Sequence, residues 1–384
     1  MKIAFVCQDL IGGGVQYATA AMVRSFSALG YEVDLLLSKV HFDRQDEGDR
    51  PFEVPSKVNV LRMPSRRGRG NILYLRRYLR NTDAEYVIAE SGIYADCLRL
   101  ASFCLKCRPK LVHVWHGDTP KLKKSFIPRL RQKLYYNFLY SRYYAVFTVN
   151  AHIREGIIEI THAISPDRIF VVYNPVVDDI FREKVKGPTT HPWLRNKKCP
   201  TFVAAGACDW NKGHLMLIKA VEEANRILSR GNAVRADRIR LVVFGTGVKE
   251  EEFRQYVASR KLEDFVSLAG FCDNLPAELK LADGFVLGTH VESFAIVLVE
   301  ALACGIPVIS TDAPWGPVEV LENGKYGTLV PVEDVVGMAN AMLKVAFGEK
   351  QSVPNQAWSR FTIENITERY LKGLGLSWLY LDSK

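Results

Sequence analysis

Residues 284–331 constrain the fold more than any other part of the chain. GFVLG at Gly284–Gly288 reads as a strand ending in glycine, followed by a short loop and a helix from about Ser293 to Cys304. Gly305 ends that helix, Pro307 blocks its continuation, and a second strand follows at Val308–Thr311. Phe294, Ile296, Val297, Leu298, Val299 and Leu302 make the helix apolar almost all round, so it is expected in the interior.

Two carboxylates break that apolar surface: Glu300 inside the helix and Glu292 just before its first turn. A buried carboxylate without a partner costs several kcal/mol or takes up a proton. Ser293 and Glu300 lie seven residues apart, on one helical face about two turns apart. Free amides at Ser293, Phe294 and Ala295 would seat a diphosphate at the helix N-terminus. Glu300 would then reach ribose hydroxyls, and Glu292 a sugar beyond the phosphates. For a strand–helix pair taken alone, a buried capping glutamate and a surface glutamate explain the pattern equally well.

The wider spacing adds information. Glu292-x7-Glu300 runs into Ala301-Leu-Ala-Cys-Gly-Ile-Pro-Val308, and then Gly316-Pro-Val-Glu319. Over some forty contiguous residues this resembles the retaining GT-B glycosyltransferases of glycosyltransferase family 4. The resemblance implies an α/β chain with two Rossmann-like, doubly wound parallel-sheet domains facing across a cleft. It also implies a nucleotide-sugar donor held by the second domain, with Glu292 supporting the donor sugar and not acting as a nucleophile.

A chain of 384 residues is too long for one ordinary core and suggests two domains of roughly 150–200 residues. Ile3–Cys7, the glycines Gly12–Gly14, a helical pattern to Leu29 and a strand at Tyr31–Leu37 form a βαβ unit. The turn lacks the full Gly-x-Gly-x-x-Gly spacing of a dinucleotide fingerprint. The family resemblance places Gly14 beside the donor. Further strands are read at Tyr86–Ala89, Leu111–Trp115, Ala145–Val149 and Ile169–Tyr173. His116 stands at the carboxyl end of one of them. A lone histidine there is commonly structural, but the resemblance places it against the donor sugar.

Residues 1–178 are expected as the acceptor-side domain, and residues 179–200, rich in Lys, Arg, Pro and Thr, as a linker. The alternation then restarts at Thr201–Ala205, Arg240–Phe244 and Phe265–Leu268, giving a nucleotide-sugar domain over 201–360. Residues 361–384 are expected to return to the first domain as a helix. Gly206-Ala-Cys-Asp-Trp-Asn-Lys212-Gly213 resembles the family's phosphate loop, with Lys212 at the lysine position and Ala207 where an arginine is usual. Phe271 falls where the family lines the nucleobase pocket.

The charge is lopsided. Residues 1–178 carry 26 basic against 17 acidic side chains, whereas residues 179–384 carry 25 of each. Arg62–Arg80 holds seven arginines and no acid, and Lys121–Tyr144 holds seven basic residues, no acid and many aromatics. Two such stretches suit an anionic membrane surface, with Arg76, Arg77, Lys123 and Lys124 facing it. A solvated basic face over an apolar side packed on the sheet explains the same residues. No apolar run approaches the ~20 residues needed to span a bilayer, and MKIAFVCQDL reads as a buried strand, not a signal peptide. The scattered cysteines, Cys104 and Cys107 being the one close pair, read as reduced thiols.

The reading is a retaining, metal-independent transferase needing no cofactor beyond its donor, a hexose or N-acetylhexosamine on a nucleotide, with UDP expected. The acceptor is expected to be a lipid-linked glycan in bacterial surface polysaccharide assembly, on the cytoplasmic face of the plasma membrane, without a nucleic-acid partner. A sugar-nucleotide epimerase of the same architecture, or a noncatalytic membrane- or nucleic-acid-binding protein, stands beside it. The last explains the basic half but not the Glu-x7-Glu helix or the Lys-Gly loop in the neutral half.

Overall fold

The computed structural model describes residues 1–46, 51–106, 109–117, 123, 125–230, 238–348 and 352–376. The chain divides into two compact units: Met1–Pro175 with the chain from Ile363 onward, and Val176–Thr362.

In the first unit, seven strands pair in parallel: β1 Lys2–Cys7, β2 Glu32–Leu37, β3 Asn59–Arg62, β4 Tyr86–Ala89, β5 Lys110–Trp115, β6 Tyr143–Thr148 and β7 Ile169–Val171. Their order is β3-β2-β1-β4-β5-β6-β7, so the winding reverses between β1 and β4. The central strands are apolar throughout because helices cover both faces. Gly14–Ala28 packs Ala20, Met22, Val23 and Phe26 into this core. The final helix, Ile363–Leu374, adds Ile366, Tyr370 and Leu371, with the Tyr370 ring 4.8 Å from Phe147.

The second unit repeats the plan with six strands: β8 Thr201–Ala205, β9 Arg240–Phe244, β10 Val266–Gly270, β11 Gly284–Leu287, β12 Val308–Thr311 and β13 Thr328–Val330. All pairings are parallel, in the order β10-β9-β8-β11-β12-β13, with the reversal between β8 and β11. In both sheets the carboxyl ends of the strands beside the reversal form the crevice where such folds bind ligands.

The segment 179–200 is not a linker. Asp178 caps a helix at Asp179–Lys186 by accepting from the Phe181 amide at 2.8 Å. Glu278, 1 % exposed, accepts from the Thr190 amide and hydroxyl at 2.7 Å each and from the His191 amide at 3.2 Å. Lys280 donates to the Val185 and Gly187 carbonyls. The Thr190 side chain and several backbone groups of this segment are partners for a buried carboxylate and an ammonium about ninety residues on. The chain enters and leaves this unit side by side, Val176 N–H donating to the Phe361 carbonyl at 2.9 Å.

The carboxyl edge of the second sheet is held by backbone contact. Gly213 has φ +62°, and a Cβ there would lie 1.9 Å from the Gly288 carbonyl oxygen. A Cβ on Gly245 would lie equally close, 1.9 Å, to the Gly206 oxygen. Gly305 also has positive φ, +77°, but its Cβ would meet nothing within 4 Å. Gly213→Ala combines left-handed strain with overpacking and is expected to cost on the order of 3 kcal/mol, or roughly 6–12 °C in the unit's Tm. Gly305→Ala, with strain alone, should cost about 1 kcal/mol. Thermal melts of the two variants that coincide would refute the close-approach argument.

Candidate functional site

Three loops meet at the carboxyl ends of β8, β9 and β11. The Gly206–Gly213 loop is tied to its neighbour by the Cys208 amide donating to the Thr246 carbonyl at 2.9 Å. It is tied to the 288–295 loop by Asn211, whose side chain donates to the Val291 carbonyl at 3.0 Å and accepts from the Val291 amide at 3.1 Å. Sequence reasoning passed over Asn211; the signal was an amide side chain between two loop glycines, suited to bridging backbone groups on either side.

Within this frame Lys212 lies over Gly206, where a Cβ would be 3.4 Å from the lysine's stem. Its ammonium donates to Glu292 Oε2, with both side chains about a quarter exposed. Gly206, Lys212 and Glu292 are therefore brought together. A partly exposed pair of this kind contributes little to stability. It stores a cation beside a carboxylate, and a diphosphate with two or more negative charges would compete for that cation.

The helix after Glu292 starts later than its sequence suggests. It spans Ile296–Ala303, preceded by Ala295 in the left-handed region at φ 61°, ψ 62°. A non-glycine residue there costs about 1 kcal/mol or more and halts helical propagation. Ser293 and Phe294 are thus outside the helix, and Phe294 is buried with its ring 5.4 Å from Phe361. The orphan amides of the first turn begin at Ile296, not at Ser293, Phe294 and Ala295. The Ser293–Glu300 helical face is correspondingly absent.

Glu300 is on the helix, and burial pushes its carboxyl up to about 7, with Lys184 opposing and Asp178 reinforcing the shift. Its carboxyl accepts no hydrogen bond among the described residues. The Cys304 thiol, one turn on, is pushed up to about 12 by burial and by Glu300. Phe271 follows β10 with its ring three-quarters exposed.

In the first unit, Gly12 and Gly13 take the positive φ values, 66° and 68°, and Gly14 opens the Gly14–Ala28 helix. His116 follows β5, and its Nε2 lies 3.0 Å from Glu90 Oε2 at the end of β4. Glu90 was missed in the sequence, where a single acid after a buried strand carries no spacing signal.

The two basic stretches differ. The helix Ile72–Asn81 buries Leu75 and Leu79, and Arg76 turns inward to the Ala101 and Phe103 carbonyls at 3.0 and 2.7 Å. Arg76 is therefore not a surface-facing cation, while Arg77 is exposed. The helix Phe126–Tyr140 instead buries only Leu139 and Tyr140. Phe126, Ile127, Leu130 and Leu134 are 78, 63, 47 and 60 % exposed. Lys123 is exposed, and Lys124 lies outside the described residues. Among the described residues no helix is long and apolar enough to cross a membrane.

Known protein families and solved structures match the chain along most of its length. Residues 12–179 match the Glycosyltransferase Family 4 model and residues 189–353 the Glycosyl transferases group 1 model. The chain is 24 % identical, over 97 % of its length and the whole of the relative, to the N-acetylgalactosamine-N,N'-diacetylbacillosaminyl-diphospho-undecaprenol 4-alpha-N-acetylgalactosaminyltransferase of Campylobacter jejuni. It is 30 % identical, over 40 % of its length and 44 % of the relative, to the amylovoran biosynthesis glycosyltransferase AmsK of Erwinia amylovora. Among solved structures, Anabaena HepE in complex with UDP superposes with a TM-score of 0.73 at 18 % identity, covering 98 % of this chain and 100 % of HepE. The lipopolysaccharide outer core galactosyltransferase WaaB superposes at 0.69 and 18 %, covering 98 % and 99 %. Both halves are matched by models of one enzyme class, and both units have the expected winding: the chain belongs to the group 1, family 4 type of glycosyltransferases and has the GT-B fold.

Proposed function

We propose that this protein transfers a hexose or N-acetylhexosamine from a UDP-sugar to a lipid-linked glycan, with retention of configuration and without a metal ion, at an anionic membrane surface. The observation that carries the reading is the convergence of Lys212, Glu292 and the Gly206 loop, with Glu300 on the helix that follows. The Campylobacter relative, matched end to end, is named for an undecaprenol-linked acceptor, and the HepE structure holds UDP.

In this reading Lys212 leaves Glu292 for the donor diphosphate, and the amides from Ile296 onward supply the remaining positive field. That frees the Glu292 carboxylate for the donor sugar. The departing phosphate assists removal of the acceptor hydroxyl's proton on the same face, giving retention. Glu300 as a carboxylate accepts from ribose hydroxyls. The exposed apolar residues of Phe126–Tyr140, flanked by Arg129, Arg131 and Lys133, lie on the lipid surface. The first test is thermal stabilisation by UDP, GDP and ADP and then by their sugars, followed by transfer assays with the donor that binds; stabilisation by none of them would refute the reading.

Glu300 generates two opposed expectations. Glu300→Ala should weaken UDP binding by roughly ten- to a hundredfold, the worth of charge-assisted bonds of about 1.5–3 kcal/mol. The carboxyl titrates near 7 against an ordinary 4.5, so the ligand-free protein bears the cost of its charge above pH 7 and is relieved of it as pH falls toward 4.5. Glu300→Gln should therefore be more stable than wild type at pH 8, by up to about 3 kcal/mol, with the gap closing by pH 5. Equal denaturant midpoints at pH 8, with unchanged UDP affinity, would remove Glu300 from the site.

Lys212→Ala should weaken UDP binding far more than uridine binding, because its partner is the diphosphate charge. Equal losses would mean that Lys212 acts on folding or elsewhere, and activity abolished by EDTA and restored by one metal would contradict the metal-free arrangement.

Membrane attachment should show as binding to anionic vesicles that is strong at low salt, weak at high salt and nearly absent on neutral lipid, since each cation contributes up to ~1 kcal/mol within a Debye length. Changing Arg129, Arg131 and Lys133 to Gln should reduce cosedimentation and leave UDP affinity intact. Indifference of the wild type to anionic vesicles at low salt would point to a soluble acceptor.

A further inference from the structure

Glu292 stands in a loop whose backbone is under strain. Ala295, three residues on, has φ 61°, and Trp315, bridged to Glu292 along the backbone, has φ 83°. Non-glycine residues persist in such conformations only where their surroundings over-determine them. The Gly316 amide donates to the Glu292 carbonyl at 2.8 Å, and a Cβ on Gly316 would lie 2.6 Å from that oxygen. Gly316 opens the helix Gly316–Val320, and Arg360 fastens its other end. The guanidinium donates to the Val320 and Glu319 carbonyls at 2.8 and 3.0 Å and to Glu322 Oε1 at 2.6 Å. A cation there satisfies last-turn carbonyls and opposes the helix dipole. The next residue, Phe361, is fully buried and sets its ring edge-on against Phe294, centroids 5.4 Å apart, two residues after Glu292. Two routes from Arg360 and Phe361 therefore end on the Glu292 loop, one through the Gly316 backbone and one through the Phe294 ring.

We propose that Arg360 is a positioning residue for Glu292: by fastening the Gly316–Val320 helix to the segment that carries Phe361, it fixes the carboxylate for the donor sugar. The proposal rests on the reading of Glu292 as the donor-sugar carboxylate. It follows from the rigid fork of the guanidinium, which joins three oxygens at once, where a lysine ammonium is a point charge on a flexible stem. The loop that carries Lys212 is held separately, by Gly213 against Gly288 and by Gly245 against Gly206. Loosening Arg360 therefore acts on Glu292 and spares the lysine.

The test compares the full-length wild type with Arg360→Lys, which keeps the charge and loses the fork. Hydrogen exchange read by mass spectrometry should quicken in peptides covering residues 292–296 and 316, while residues 206–213 keep their protection. With the UDP-sugar that wild type turns over, single-turnover transfer should slow by roughly tenfold at unchanged UDP affinity. The same substitution made in Glu292→Gln should slow transfer no further. Phe361→Leu, which stays apolar and removes the ring contact, should show the same pattern and carries the test where Arg360→Lys does not fold. Equal slowing in both backgrounds would overturn the proposal, since Arg360 would then act independently of Glu292. So would unchanged exchange at residues 292–296, transfer at the wild-type rate, or a parallel loss of UDP affinity. A protein that transfers no sugar sinks the donor-sugar reading instead, and the exchange comparison, which needs no turnover, still decides whether Arg360 holds the Glu292 loop.

Discussion

The second unit depends on how closely three loop backbones approach at the carboxyl edge of its sheet. Gly213 lies against Gly288, and Gly245 against Gly206, at separations that leave no room for a Cβ. Because these contacts are between main chains, no rotamer change relieves them, and the loops hold one arrangement. Lys212 begins where that arrangement puts it, one residue before Gly213 and folded back over Gly206. Its reach to Glu292 across 80 residues of sequence is a consequence of glycine packing, not of any attraction strong enough to organise the loops. Asn211 adds the polar half of the same join by pairing both backbone groups of Val291.

Much of this was legible in the sequence because buried parallel strands are continuous apolar runs. Thr201–Ala205, Arg240–Phe244 and Val308–Thr311 have the bounds read from the sequence. The strands that escaped notice, Asn59–Arg62 and Thr328–Val330, are short, lie at sheet edges and carry exposed positions, so their composition resembles loops. The helix start was misplaced because nothing in Glu-Ser-Phe-Ala signals that Ala295 takes a left-handed conformation. The stretch 179–200 looked like a linker because polar residues with distant partners cannot be told from solvated ones without the fold. Glu278 supplies those partners, and no periodicity connects it to Thr190.

The two basic stretches show the same limit. Both have apolar residues at helical spacing beside cations, and the pattern alone does not say whether a neighbour covers the apolar side. For Ile72–Asn81 a neighbour does, and Leu75 and Leu79 are buried. For Phe126–Tyr140 only the C-terminal turns are anchored, Tyr136 and Tyr140 stacking at 6.2 Å and Tyr140 lying over His113 at 6.0 Å. The first turns project Phe126, Ile127 and Leu130 outward. Leaving three large apolar side chains in water forgoes roughly 1.5–3 kcal/mol each if they could be buried, so a surface that covers them would stabilise the complex without rearranging the core.

Three carboxylates, Glu90 and Glu278 buried and Glu300 partly exposed, differ in the company they keep. Glu278 accepts three hydrogen bonds from the segment it anchors, which leaves it little capacity for a ligand. Glu300 accepts none from the described residues, and burial raises its pKa to about 7. Glu90 is intermediate, one oxygen accepting from His116 and the other unpaired. Desolvating an acceptor without a donor costs about 1–3 kcal/mol, which folding must overcome in the ligand-free protein. A hydroxyl donor that reached such an oxygen would recover that deficit. Burial alone therefore does not mark a site in this fold.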